Sequence, residues 1–132
     1  MATEQEHLAL ADKNERVIHF LRPEMNKFSD WVTTVAFYRA LHLVDAVLAR
    51  DKKEVYTHGD RARILRGTSR YQKIYQHYRP LYVASLVARY LQDADGSTYH
   101  TFSDFMPPEL VERIILGYRL KEIEQSVGKL LQ

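Results

Sequence analysis

The chain has no cysteine. That excludes a disulfide framework, a cysteine nucleophile and thiolate metal sites together. It also fits a reducing compartment, so a cytoplasmic location is expected. Glycine and proline are scarce, at five and four among 132 residues, and no low-complexity segment or internal repeat is present. The opening MATEQEHLAL is acidic, unlike the basic start of a secretory signal. No uninterrupted apolar run approaches the roughly 18 residues of a membrane span, so no membrane partner is expected. Strand signals are also missing: no sustained period-two run appears, and no Asn-Gly or Asp-Gly turn joins two such runs. The sequence lacks a glycine-rich phosphate loop, a G-x-S-x-G elbow and an H-x-x-x-H ligand pair. No metal or other cofactor is therefore expected.

What remains is helical periodicity in a chain the size of one domain, 1–132,. Thr3 and Glu6 form a capping-box pattern that opens a helix running to Leu21. Leu10, Val17, Ile18 and Leu21 are its expected buried positions, and Pro23 stops it. Ser29 is the expected N-cap of the most apolar helix, DWVTTVAFYRALHLVDAVLAR, which ends near Arg50,. DKKEVYTHGD reads as a polar loop, and DRARILR as a short basic helix ending at Gly67,. A long helix follows over Ser69 to Gln92, with a kink or break expected at Tyr78–Pro80 because an internal proline removes a hydrogen bond and clashes with the preceding turn. DADGSTYHTFSDFM is a loop, and Pro107 and Pro108 suit the first turn of a last helix,. The expected fold is an all-α, single-domain antiparallel bundle of about five helices.

Net charge is only +2, but it is unevenly spread. From Arg50 through Tyr90 there are ten Lys and Arg against three Asp and Glu, a local +7 that leaves −5 for the rest. Such a split marks either a polyanion-binding face or a solvated basic helix surface. Arg63, Arg66, Lys73 and Arg79 are the candidate RNA-contacting cations. Tyr71, Tyr75, Tyr78 and Tyr82 fall in one narrow helical stripe, the usual signature of a core face; stacking on nucleobases is the alternative.

Two polar constellations stand out. Arg70 and His77 are seven residues apart, nearly two turns of an unbroken helix and ~10.5 Å along its axis. An arginine can stabilise phosphate charge in a transition state, and a histidine can move the proton of a 2′-hydroxyl. Tyr38, His42 and Asp45 share one face of the central helix. They read either as an internal network in which Asp45 orients His42, or as the floor of a polar pocket. His58 and Arg61, at the start of the basic helix, are placed to approach that cluster.

Three stretches resemble the small prokaryotic HEPN-type helical domains. They are DWVTTVAFYRALHLVDAVLA, HGDRARIL with its His-x-x-Arg turn, and YRPLYVASLVARY with Ser85, Arg89 and Tyr90 in place. With the last helix they span about Asp30 to Leu131. The resemblance implies an all-α bundle that dimerises. It also implies one of two roles: a metal-independent ribonuclease of a toxin–antitoxin or antiphage system, or a non-catalytic module that binds RNA or a protein, or serves as a dimeric accessory subunit. The family's catalytic pair is Arg, four to six residues, then His, which Arg70 and His77 match at the longest spacing. The residue after the arginine is Tyr71, where the family usually has a polar residue such as Asn or Asp. Implied partners are a second copy of the chain, RNA, and an antitoxin or nucleotidyltransferase.

Overall fold

The computed structural model describes residues 1–132 and is all-α, without a strand; its one β-type contact is an isolated bridge between Gln92 and Thr98. Helix α1 spans Glu4–Leu21, and its capping box forms as read: the Thr3 hydroxyl accepts from the Glu6 amide while the Glu6 carboxylate accepts from the Thr3 amide. Ala11 and Ile18 are its buried residues, whereas Leu10 is 41% exposed. The buried stripe passes through Ala11, and Leu10 lies about 100° of helix rotation away from it. Pro23 sits in a single 3₁₀ turn, Arg22–Glu24, after which the chain re-enters a helix at once.

Helix α2, Met25–Arg50, carries a kink at Phe28 (φ −126°, ψ 28°), so its regular part begins at Ser29. From Val32 to Leu48 it is buried except along one face, where Val35, Tyr38 and His42 are half-buried, close to the condition of a helix surrounded by others. The helical run Glu4–Arg50 contains an 18-residue window of mean hydropathy 1.4, long and apolar enough to cross a membrane by composition. That contrasts with the expectation from uninterrupted runs; 78% of the window is buried inside the bundle.

Helix α3, His58–Gly67, is capped by Thr57, whose hydroxyl accepts from the Asp60 amide at 3.0 Å. A 3₁₀ turn at Ser69–Tyr71 leads into α4, Gln72–Tyr90. Pro80 lies inside α4 without breaking it, so of the expected kink or break the break does not occur. The carbonyl left without a donor belongs to Gln76, an exposed residue, so water can satisfy it. Leu91 ends α4 in the left-handed region (φ 55°). The Asp93 carboxylate then organises the following turn, accepting from the Asp95 and Ser97 amides at 3.0 Å and from the Tyr99 hydroxyl at 3.1 Å. After the one-turn α5, Phe102–Phe105, the last helix α6 is α-helical at Pro108–Leu110 and Lys121–Leu130 and wound in π geometry over Val111–Leu120.

Side-chain pairs give the helix directions. Glu4 with Arg50, His7 with His42, and Ala11 with Arg39 make α1 antiparallel to α2. Phe37 against Tyr82 and Asp51 against Arg70 make α4 antiparallel to α2. Arg39 with Glu124 and Arg50 with the Leu131 carbonyl run α6 parallel to α2. The result is an antiparallel bundle of α1, α2, α4 and α6, with α3 packed beside α4. Twenty-four buried apolar residues form one core cluster, each large side chain contributing on the order of 1.5–3 kcal/mol by its removal from water.

Candidate functional site

Arg70 and His77 do not share a helix face. Arg70 belongs to the 3₁₀ turn, and Tyr71 (φ −105°, ψ 7°) separates that turn from α4. The Arg70 guanidinium donates to Asp51 from Nε at 2.9 Å and from Nη2 at 3.3 Å. The Tyr71 hydroxyl donates to the same carboxylate. Burial pushes Asp51 up, but these two donors outweigh it and hold its carboxyl below the ordinary range. Burial, together with the bond to Asp51, pushes Tyr71 up to about 12.

His77 faces the other way. It is 3% exposed, packs edge-to-face on Tyr118 of α6 at 5.2 Å between ring centroids, and its Nδ1 accepts from Arg119 at 3.2 Å. Burial and the Arg119 charge hold it below the usual imidazole range. Within one chain, therefore, the arginine is tied to the end of α2 and the histidine to α6.

The second constellation is buried at Asp45 and Arg61, half-buried at Tyr38 and His42 and exposed at His58, and it divides into three contacts. Asp45 does not orient His42. Both its oxygens are taken by Arg61, at 2.7 Å from Nε and 2.8 Å from Nη2, and both residues are 8% exposed. His42 instead meets His7 of α1, Nδ1 to Nδ1 at 3.1 Å, so one ring carries the shared proton and the other accepts it. Burial and then His7 hold His42 below its ordinary pKa. His58 points its Nδ1 at Arg61 Nη1, 3.2 Å away. Asp45 and His58 thus share Arg61 while His42 pairs with His7, and no set of three metal-binding side chains converges.

Tyr38 belongs to a third contact. Its hydroxyl accepts from Arg89 at 3.5 Å, and its ring lies under the Arg89 guanidinium at 5.8 Å. The same guanidinium lies over Phe37 and Tyr90 and donates to the Ser85 hydroxyl at 3.1 Å. Arg89, steadied by Ser85, thereby links α4 to the aromatic face of α2, while Tyr90 stays exposed.

The tyrosine stripe is largely core. Tyr71 and Tyr78 are buried, while Tyr75 and Tyr82 are half-buried at the α3–α4 edge. The four candidate RNA-contacting cations are all exposed. Arg63 reaches Asp60 at 3.4 Å and Lys73 reaches Glu122 at 3.8 Å. Arg66 and Arg79 make no ion pair. Between α3 and α4 runs an open groove of about 600 Å³ lined by Leu65, Arg66, Gln72, Lys73, Tyr75 and Gln76.

Two participants escaped the sequence reading. His7 sits on a helix whose pattern gave it no role, and Arg119 lies 42 residues beyond His77. Neither carries a local signal, because each gains its partner only when distant helices dock. Comparison with protein-family models, curated proteins and solved structures returns no match.

Proposed function

We propose that the chain is a HEPN-like helical module that binds single-stranded RNA along its α3–α4 face and does not cut it. The observation that carries this reading is the open groove lined by Arg66, a cation with no acid partner, with the equally unpaired Arg79 about one turn along α4 from the groove residues Tyr75 and Gln76,. Lys73 and Arg63, held only by long ion pairs near solvent, add to the same field, and such pairs are weak enough for a phosphate to displace. Tyr75 offers a half-buried ring for a base to stack on,. Gln72 and Gln76 supply amides that both donate and accept, suited to base edges and 2′-hydroxyls,. The commitment of Arg70 to Asp51 and of His77 to Arg119 supports binding over cleavage.

The test is fluorescence anisotropy with a labelled oligouridylate. Four phosphate contacts give a log–log salt slope of about −2.8, a loss of about 50-fold between 50 and 200 mM salt. Arg66→Gln should remove about 0.7 from that slope. Absence of binding at 50 mM salt overturns the reading. RNA that is cut without added metal by the unmodified chain, and not by His77→Ala, replaces it with the ribonuclease.

A further inference from the structure

Early in the regular part of α2 stand Asp30, Trp31 and Thr34, and near the end of the antiparallel α4 stand Ala88 and Arg89. These five residues line an open recess of about 280 Å³. That is just under the ~300 Å³ at which pockets for small ligands begin, so it suits a single ring system. The recess shares no residue with the α3–α4 groove, and Arg89 lies about 15 Å along α4 from Arg79.

Trp31 is the chain's only tryptophan, and it is 59% exposed, although tryptophan is mostly buried on average. No aromatic ring of the fold packs on it and no guanidinium lies over it. Its indole is therefore a free stacking surface at the edge of the recess.

The polar groups beside it are left over within the chain. Asp30 accepts from the Trp31 amide through Oδ1 at 2.8 Å, while its Oδ2 has no donor and its charge no ion pair. Arg89 donates to the Ser85 carbonyl, the Ser85 hydroxyl and the Tyr38 hydroxyl. A guanidinium has five N–H groups, so one remains on each of its terminal nitrogens. An acid and a base that line one recess without pairing leave an acceptor and a donor for a bound molecule. Phosphate does not suit them: Asp30 repels an anion, and the Arg89 charge already lies over Phe37, Tyr38 and Tyr90. A flat, neutral ring with a donor beside an acceptor does.

We propose that this recess is a subsite for an amine-bearing nucleobase. The base stacks on the Trp31 indole, donates its exocyclic amine to Asp30 Oδ2, and accepts from Arg89 at a neighbouring ring nitrogen. Adenine has that edge, with its N6 amine beside N7, and cytosine also carries an amine; uracil carries none. The base belongs either to an RNA strand or to a free nucleotide.

Trp31 fluorescence is the readout, since no other tryptophan contributes to it. Adenosine and purine riboside differ only in the exocyclic amine. Both are titrated against the full chain, with free N-acetyltryptophanamide as the control for collisional quenching. Adenosine should quench saturably and bind about tenfold tighter than purine riboside, the scale of one hydrogen bond to a charged acceptor. Asp30→Asn keeps an oxygen for the Trp31 amide and turns its –NH2 toward the recess, where donor meets donor. The preference for adenosine should vanish while purine riboside binds as before, and circular dichroism checks the fold. Quenching by adenosine that does not saturate overturns the subsite, and so do equal affinities for the two nucleosides. Oligoadenylate that quenches at far lower concentration than adenosine 5′-monophosphate assigns the base to RNA; equal concentrations assign a free nucleotide. Oligouridylate binding keeps the groove reading whichever way adenosine falls, and adenosine quenching keeps the recess whichever way oligouridylate falls.

Discussion

Replacing Asp45 by Asn isolates the buried charge of Arg61. Asn has nearly the same shape, so packing changes little and the charge is what is lost. Arg61, 8% exposed and held by two bonds of 2.7 and 2.8 Å, then keeps a buried positive charge with no carboxylate. Breaking such a pair from one side costs about 3–5 kcal/mol. For 132 residues, at an unfolding entropy of ~2.1 cal/mol/K per residue, Tm falls by about 11–18 °C. Urea unfolding followed by circular dichroism supplies the measurement, and Arg61→Met should show a similar loss from the opposite side. The double variant removes both charges and leaves no uncompensated ion, so it should be more stable than either single one. A loss of under about 1 kcal/mol for Asp45→Asn is the scale of a surface pair; it would refute the buried-pair argument.

Acid should destabilise the fold before the carboxylates titrate. His42, His58 and His77 are all held below 6.5 in the folded chain, each first by burial. The unfolded chain then binds more protons, so their contribution is complete above about pH 6.5 and is lost as pH falls below it. Each histidine adds at most about 1.4 kcal/mol per pH unit to that slope, His58 the least because it is the most exposed. Urea midpoints at pH 8 and pH 5 check this, and a midpoint that holds or rises on acidification contradicts it. Pro80→Ala should stabilise α4 by about 1–3 kcal/mol, since it restores the missing N–H and relieves the ring clash; a loss of stability in thermal unfolding would show that Pro80 is required where it is.

The elements that could be read locally were those whose cause is local. The Thr3–Glu6 box, the stop at Pro23 and the start of the last helix at its prolines depend on residues within a turn of each other. The kink at Phe28 and the π winding of Val111–Leu120 have no such short-range signature. The expected break at Pro80 followed a sound rule that here meets an exposed carbonyl. Arg70 and His77 do not share a helix face within the chain for a related reason. A seven-residue offset fixes direction only if the helix contains both residues, and α4 begins at Gln72.

A basic stretch is a poor guide to a binding face until its arginines are sorted by what they already hold. In the +7 segment, Arg50 is committed to Glu4 and the Leu131 carbonyl, Arg61 to Asp45, Arg70 to Asp51, and Arg89 to Ser85 and a ring of aromatics. Those four are structural, and two of their acid partners, Asp45 and Glu4, lie outside the segment and belong to the −5 remainder. Part of the charge split is therefore an internal complementarity between helices, invisible to a count along the chain. What survives the sorting is the α3–α4 edge, where Arg66 and Arg79 stand unpaired on either side of Tyr75. A bound polyanion is best accommodated there, because Arg66 and Arg79 are exposed and have no carboxylate to leave, whereas Arg89, also without one, is occupied by Ser85 and the aromatic rings,.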